Sequence, residues 1–186
     1  MAEHVCPVWI GYLLASPVRK LFQHPHKILS PYVKEGLKVL DVGCAMGFFS
    51  VPLAQMVGSP GKVICVDLQA QMLAALEKRA QKAGLSKRIE TRLCQQHSLG
   101  LHDLQEEIDF ALVFAIVHEV SDSPRFFSEI YATLRPGGRG LVAEPKGHVA
   151  VQEFKKTVAV AQQTGFTVID TPQIARSHSV LLEKTR

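Results

Sequence analysis

The chain has 186 residues, 47% of them hydrophobic and 20% charged, which is enough for one compact domain. Its formal net charge of +4 is carried by scattered residues such as Arg79, Lys82, Lys87 and Arg88, with no concentrated basic stripe, so nucleic acid is not an expected partner. The four cysteines (Cys6, Cys44, Cys65 and Cys94) have no C-x-x-C spacing, which argues against a metal site, and no apolar run is long enough to span a bilayer. A cytoplasmic, reducing setting without membrane attachment is the expectation.

In chain order, residues 1–36 stand outside any strand and helix alternation. Prolines 7, 17, 25 and 31 break them into short pieces, with possible helices over Pro17 to Phe22 and Pro25 to Tyr32. Trp9, Tyr12 and Phe22 make this segment either a cap over a sheet edge or a lid carrying acceptor contacts. A single domain is expected over 1–186, with a core over 37–186. The core opens with an apolar strand, Leu37 to Val42, followed by a glycine turn and a helix over about Phe48 to Val57. A second apolar strand, Val63 to Asp67, ends in an acid. The next helix shows Met72, Leu73, Leu76, Ala80 and Ala83 on one face and stops at Gly84.

A third strand is expected over about Arg88 to Cys94, a polar loop over Gln95 to Gln105, and a buried fourth strand over Ile108 to Phe114. Ser123-Pro124 reads as a helix start with a serine cap, and Phe126, Phe127, Ile130 and Leu134 as its buried stripe. Arg135 to Gly138 is a turn before a fifth strand, Gly140 to Ala143. A last helix, about Val149 to Thr164, precedes strands over Gly165 to Ile169 and Ser177 to Glu183. Their connection is too short for a crossover helix, so this pair is expected to be antiparallel. The resulting fold class is α/β: a doubly wound, mostly parallel seven-stranded sheet with an antiparallel C-terminal strand.

The glycine turn, Val39-Leu40-Asp41-Val42-Gly43-Cys44-Ala45-Met46-Gly47-Phe48-Phe49-Ser50, is the chemical centre of this pattern. Glycines at 43 and 47 leave the backbone bare enough for a flat ligand to press on it. A nicotinamide fingerprint, G-x-G-x-x-G, would place Ala45 and Phe48 where glycines belong, which disfavours an oxidoreductase. The D-x-G-x-x-x-G spacing instead resembles motif I of the class I S-adenosylmethionine-dependent methyltransferases. VICVDLQ, DFALVFAIVHEV and LRPGGRGLVAEP follow at that family's intervals over about residues 36–186. The chain lacks the Asn/Asp-Pro-Pro-Tyr signature of methylases acting on nucleobase or glutamine nitrogen. It looks more like the quinone-biosynthesis C-methylases and related small-molecule enzymes, including those methylating metalloids.

The resemblance implies S-adenosylmethionine as cofactor, Rossmann-like folding and methyl transfer to a small, partly apolar acceptor. A cofactor-binding regulatory or partner protein that has lost catalysis is the alternative. Implied cofactor residues are Asp41, Gly43, Cys44, Ala45 and Gly47 in the loop, Leu68 and Met72 beside the adenine, and Phe114 at the end of strand four. A carboxylate can accept from both vicinal ribose hydroxyls, which makes Asp67 the expected ribose ligand. Where the family commonly has an acid after strand three, this chain has Gln95 and Gln96 as candidates for the adenine amino group. His118 has a pKa range suited to proton transfer and is, with Glu119, the candidate for catalysis; both otherwise read as a polar loop before the next helix. Glu144, Lys146 and His148 follow strand five as weaker candidates for acceptor contacts.

Overall fold

The computed structural model describes residues 23–185, so the expectations for Trp9, Tyr12 and the Pro17 to Phe22 helix fall outside the described residues. Among the described residues, helix α1 (Pro25–Leu29) leads into β1 (Lys38–Val42), α2 (Ser50–Met56), β2 (Lys62–Asp67), α3 (Ala70–Lys82) and β3 (Ile89–Leu93). Then come β4 (Ile108–Phe114), α4 (Ser123–Thr133), β5 (Leu134–Pro145), α5 (Val151–Gln163), β6 (Phe166–Asp170) and β7 (Ser177–Lys184). The seven strands form one sheet in the order β3-β2-β1-β4-β5-β7-β6. The described residues form two compact units, one ending at Cys94 and the other beginning at Gln95.

In the first unit β1, β2 and β3 are parallel neighbours. The apolar runs Val39-Leu40 and Val63 to Val66 are completely buried, as strands covered on both faces must be. Helix α3 buries Met72, Leu73, Leu76 and Ala80. Ala83, expected on that face, is instead the exposed C-cap. The helix closes with paired hydrogen bonds, Leu85 N–H to the Ala80 carbonyl at 2.8 Å and Gly84 N–H to the Gln81 carbonyl at 3.0 Å. Gly84 takes the left-handed φ of +69° this closure needs. Helix α2 begins at Ser50, two residues later than the sequence suggests, because Phe48 and Phe49 stay in the turn, buried edge-to-face with ring centroids 5.0 Å apart.

In the second unit β4 and β5 are parallel, while β5–β7 and β6–β7 are antiparallel, as the short 171–176 connection requires. Helix α4 buries Phe126, Phe127 and Ile130. Its cap is Asp122, not Ser123: the Asp122 carboxylate accepts from Arg125 N–H at 3.0 Å. Ser123 is already helical, and a cap must precede the first helical residue to reach the third amide. Strand β5 also runs longer than expected. It pairs from Leu134 across the Arg135 to Gly138 stretch, absorbed as a register shift against β4, and continues through Glu144 to Pro145.

Among the described residues no helix is long and apolar enough to cross a membrane. Cys44, Cys65 and Cys94 are free thiols.

Candidate functional site

The first unit builds its site from strand register. Val42 of β1 lies level with Val66 of β2, and Gly43 N–H donates to the Val66 carbonyl at 2.9 Å. Asp67, one residue further, therefore sits beside the turn. One carboxylate oxygen accepts from Ala45 N–H at 2.9 Å and the other from Gln69 N–H at 2.9 Å. Gln69, not Asp67, is the cap residue of α3, so the acid's work is on the turn and its own chain exit. Burial pushes the Asp67 carboxyl above its ordinary range, opposed by the backbone N–H groups of Gln69, Ala45 and Leu68. A carboxylate offers about four lone-pair sites, so three such donors still leave acceptor capacity for a ligand hydroxyl.

Two further contacts hold the turn. Asp41, 3% exposed, accepts from Ser50 Oγ at 2.6 Å, tying the end of β1 to the start of α2. Arg79 on α3 donates to the Met46 carbonyl at 2.6 Å. Gly47 has φ +81°, and a Cβ there would lie 2.3 Å from Leu76 Cδ1. This glycine thus lets the loop pack on α3, a different reason from the ligand approach inferred from sequence. Gly43 and Ala45 also lie in the left-handed region, at φ 71° and 45°. Leu68 is 40% exposed, whereas Met72 is 2% exposed and packs in the core, with no surface to offer an adenine. Cys44 is buried, and its hydrogen bond with Cys65, reinforced by burial, pushes the thiol well above its ordinary value.

The second unit repeats this construction. Phe114 of β4 lies level with Ala143 of β5, and Ala115 N–H donates to the Ala143 carbonyl at 2.7 Å. Glu144, again one residue further, is 1% exposed. Its Oε1 accepts from Ile116 N–H at 3.0 Å and Val117 N–H at 2.9 Å, and its Oε2 lies 2.5 Å from His118 Nδ1. Glu144 was expected to touch the acceptor; it is sealed beneath the 116–118 turn and touches protein instead. The His118 side chain is 29% exposed and stacks on His148, with ring centroids 6.1 Å apart and planes 18° apart. Its Nε2 lies 3.9 Å from Glu119 Oε1. The Glu144 hydrogen bond raises the His118 pKa above its ordinary value, against the opposing effect of burial.

The remaining expected residues are more dispersed. Phe114 is buried, Lys146 exposed, and Gln95 and Gln96 exposed, with Gln95 in an isolated bridge to Ser98. Sequence reading missed Ser50 and Arg79. Ser50 carried one signal, a hydroxyl at a helix start nine residues after a buried acid; Arg79 carried none, resembling other exposed cations of its helix.

The strand order, the motif I turn and the acid at the end of β2 define the S-adenosylmethionine-dependent methyltransferase class of α/β fold. A methyltransferase domain family model matches residues 33–178, and the chain belongs to that family. A ubiquinone biosynthesis O-methyltransferase of Nitrobacter winogradskyi is 34% identical over 103 residues, covering 55% of this chain and 36% of that protein. A demethylmenaquinone methyltransferase of Lactobacillus johnsonii is 30% identical over 107 residues, covering 58% and 43%. The match therefore spans less than half the length of either relative. In fold, the chain is similar to a SAM-dependent methyltransferase of Aquifex aeolicus, with TM-score 0.87, 23% identity, and 97% of this chain and 100% of that one covered.

Proposed function

We propose that this chain transfers a methyl group from S-adenosylmethionine to a small, partly apolar acceptor by in-line displacement. The observation that carries the reading is the Asp67 carboxylate, which braces the glycine turn through Ala45 and retains acceptor capacity for a ribose hydroxyl. Gly43, Cys44, Ala45 and Gly47 supply the backbone of that turn, Asp41 and Arg79 hold it in shape, and Leu68 offers exposed apolar surface for the adenine. Bound there, the cofactor supplies an electrophilic methyl on a sulfonium; the protein's part is to align the acceptor and exclude water. The names of the two relatives, an O-methyltransferase of ubiquinone biosynthesis and a demethylmenaquinone methyltransferase, support a small-molecule acceptor.

Calorimetry tests this reading without knowledge of the acceptor. S-adenosylmethionine is expected to bind the intact chain with one site, and a nicotinamide dinucleotide is expected not to bind. Binding of the dinucleotide alone would overturn the assignment.

A further inference from the structure

A cation on α3 holds the turn that follows β1. Leu76 and Arg79 lie three residues apart on this helix and so share a side. A Cβ on Gly47 would lie 2.3 Å from Leu76 Cδ1, and Arg79 donates to the adjoining Met46 carbonyl at 2.6 Å. Among the described residues no carboxylate pairs with this half-buried guanidinium, and burial lowers its pKa below the ordinary value. Glu77, the acid of the same helix, accepts instead from Thr91 Oγ1. Withdrawing a cation from water without an ion pair is costly, so a solvated helix face does not account for Arg79.

Most amides of the turn are already committed. Gly43 and Cys44 both donate to the Val66 carbonyl, Ala45 to the Asp67 carboxylate, and Gly47 to the Cys44 carbonyl at 3.0 Å. The peptide between Met46 and Gly47 is thus fixed twice, its carbonyl on Arg79 and its N–H on Cys44. Among the described residues the Met46 N–H meets no acceptor of the protein. An amide donor left over in a turn suits an anionic group.

Resting on the methyl-transfer reading above, we propose that Arg79 is a positioning residue for the amino-acid end of S-adenosylmethionine: it holds the Met46 carbonyl against α3 and so keeps the Met46 amide as a donor for the cofactor's carboxylate. Asp67 and Leu68 serve the ribose and adenine in that reading, so the two ends of the cofactor depend on different side chains of this one unit. Arg79 acts through Met46 and touches no ligand itself. An ammonium would supply the same charge as a point, whereas the planar guanidinium sets the direction of the carbonyl it binds. Without that bond the Met46–Gly47 peptide is freer to rotate, because glycine at φ +81° has alternatives open to no other residue.

Two ligands separate the ends of the cofactor: S-adenosylmethionine, and 5′-methylthioadenosine, which keeps the adenine, ribose and sulfur but lacks the amino-acid end. In titration calorimetry Arg79→Met is expected to bind S-adenosylmethionine about 10-fold more weakly, the scale of one lost hydrogen bond to a charged group. It is expected to bind 5′-methylthioadenosine as the native chain does. Arg79→Lys should recover part of the loss. NMR of the ligand-free chains should show the Met46 carbonyl carbon shifted in Arg79→Met, and the same spectra report whether each variant is folded. Should Arg79→Met not fold, Arg79→Gln takes its place, with the ratio of the two affinities as the readout. Equal weakening of both ligands would overturn the proposal, since it marks general support of the unit. Unchanged affinity for S-adenosylmethionine would overturn it too, as would a native chain that does not bind 5′-methylthioadenosine, because the two ends would then not be held separately. Each of these results leaves the methyl-transfer reading standing while the native chain binds S-adenosylmethionine; no such binding would remove both.

Discussion

The two units solve the same problem with the same parts. In each, a strand residue lies level with its parallel neighbour, the next amide donates to that neighbour's carbonyl, and an acid one residue on accepts from amides of the turn. Gly43 at φ 71° and Ala115 at φ 59° even occupy equivalent places. The difference lies in burial. Asp67 is partly exposed and retains acceptor capacity, whereas Glu144 is 1% exposed and contacts the half-buried His118 ring. One carboxylate therefore keeps acceptor capacity at a partly exposed position, and the other is committed to the 116–118 turn and the His118 ring.

The largest effect available against this comparison is loss of the first turn. Gly47→Val adds a branched Cβ where 2.3 Å separates it from Leu76, at φ +81°. It should cost about 2–5 kcal/mol, the sum of left-handed strain and overpacking. Thermal unfolding checks this, and an unchanged midpoint would show that the loop does not pack on α3 as described.

The second unit can be broken by pH. Because Glu144 raises the folded-state pKa of His118, their pairing contributes stability that is fully present below the unfolded value of about 6.5 and is lost as pH rises through the raised folded value. The melting difference between the native chain and His118→Ala should thus be larger at acidic than at alkaline pH. A difference independent of pH would mean that the pair does not exchange a proton on folding.

The smallest effect sharpens the likeness between the turns. Ala115→Gly and Ala45→Gly each relieve a left-handed alanine, worth roughly 1–2 kcal/mol, and give back about 0.5–1 kcal/mol in unfolded-chain entropy. Both variants should be neutral or slightly stabilised in denaturant unfolding. Marked destabilisation at one site alone would show that its methyl is a packing contact and that the two turns are built differently.

The strands and most helices were legible because periodicity and uninterrupted apolar runs report burial directly: β4 is found over Ile108–Phe114, as read, and the Asp67 position follows from the end of an apolar strand. Glu144 was visible as an acid near the right sheet end, but its role was not. Strand five was read as ending at Ala143, whereas β5 runs on to Pro145, keeping Glu144 paired with His178 and buried. Whether a carboxylate faces solvent or the underside of a turn depends on which residues of another loop share its level, and local sequence does not carry that. Asp122 was overlooked for a simpler reason: Ser-Pro is itself a helix-start signal, and it masked the better cap one residue earlier.

The role proposed for the Asp67 carboxylate is to hold the cofactor. Titration calorimetry of S-adenosylmethionine into the native chain and Asp67→Ala tests it most directly. The predicted result is a loss of about 1.5–3 kcal/mol in binding free energy, the scale for hydrogen bonds to a charged group, in a variant that remains folded. A folded Asp67→Ala chain that binds with native affinity would contradict it.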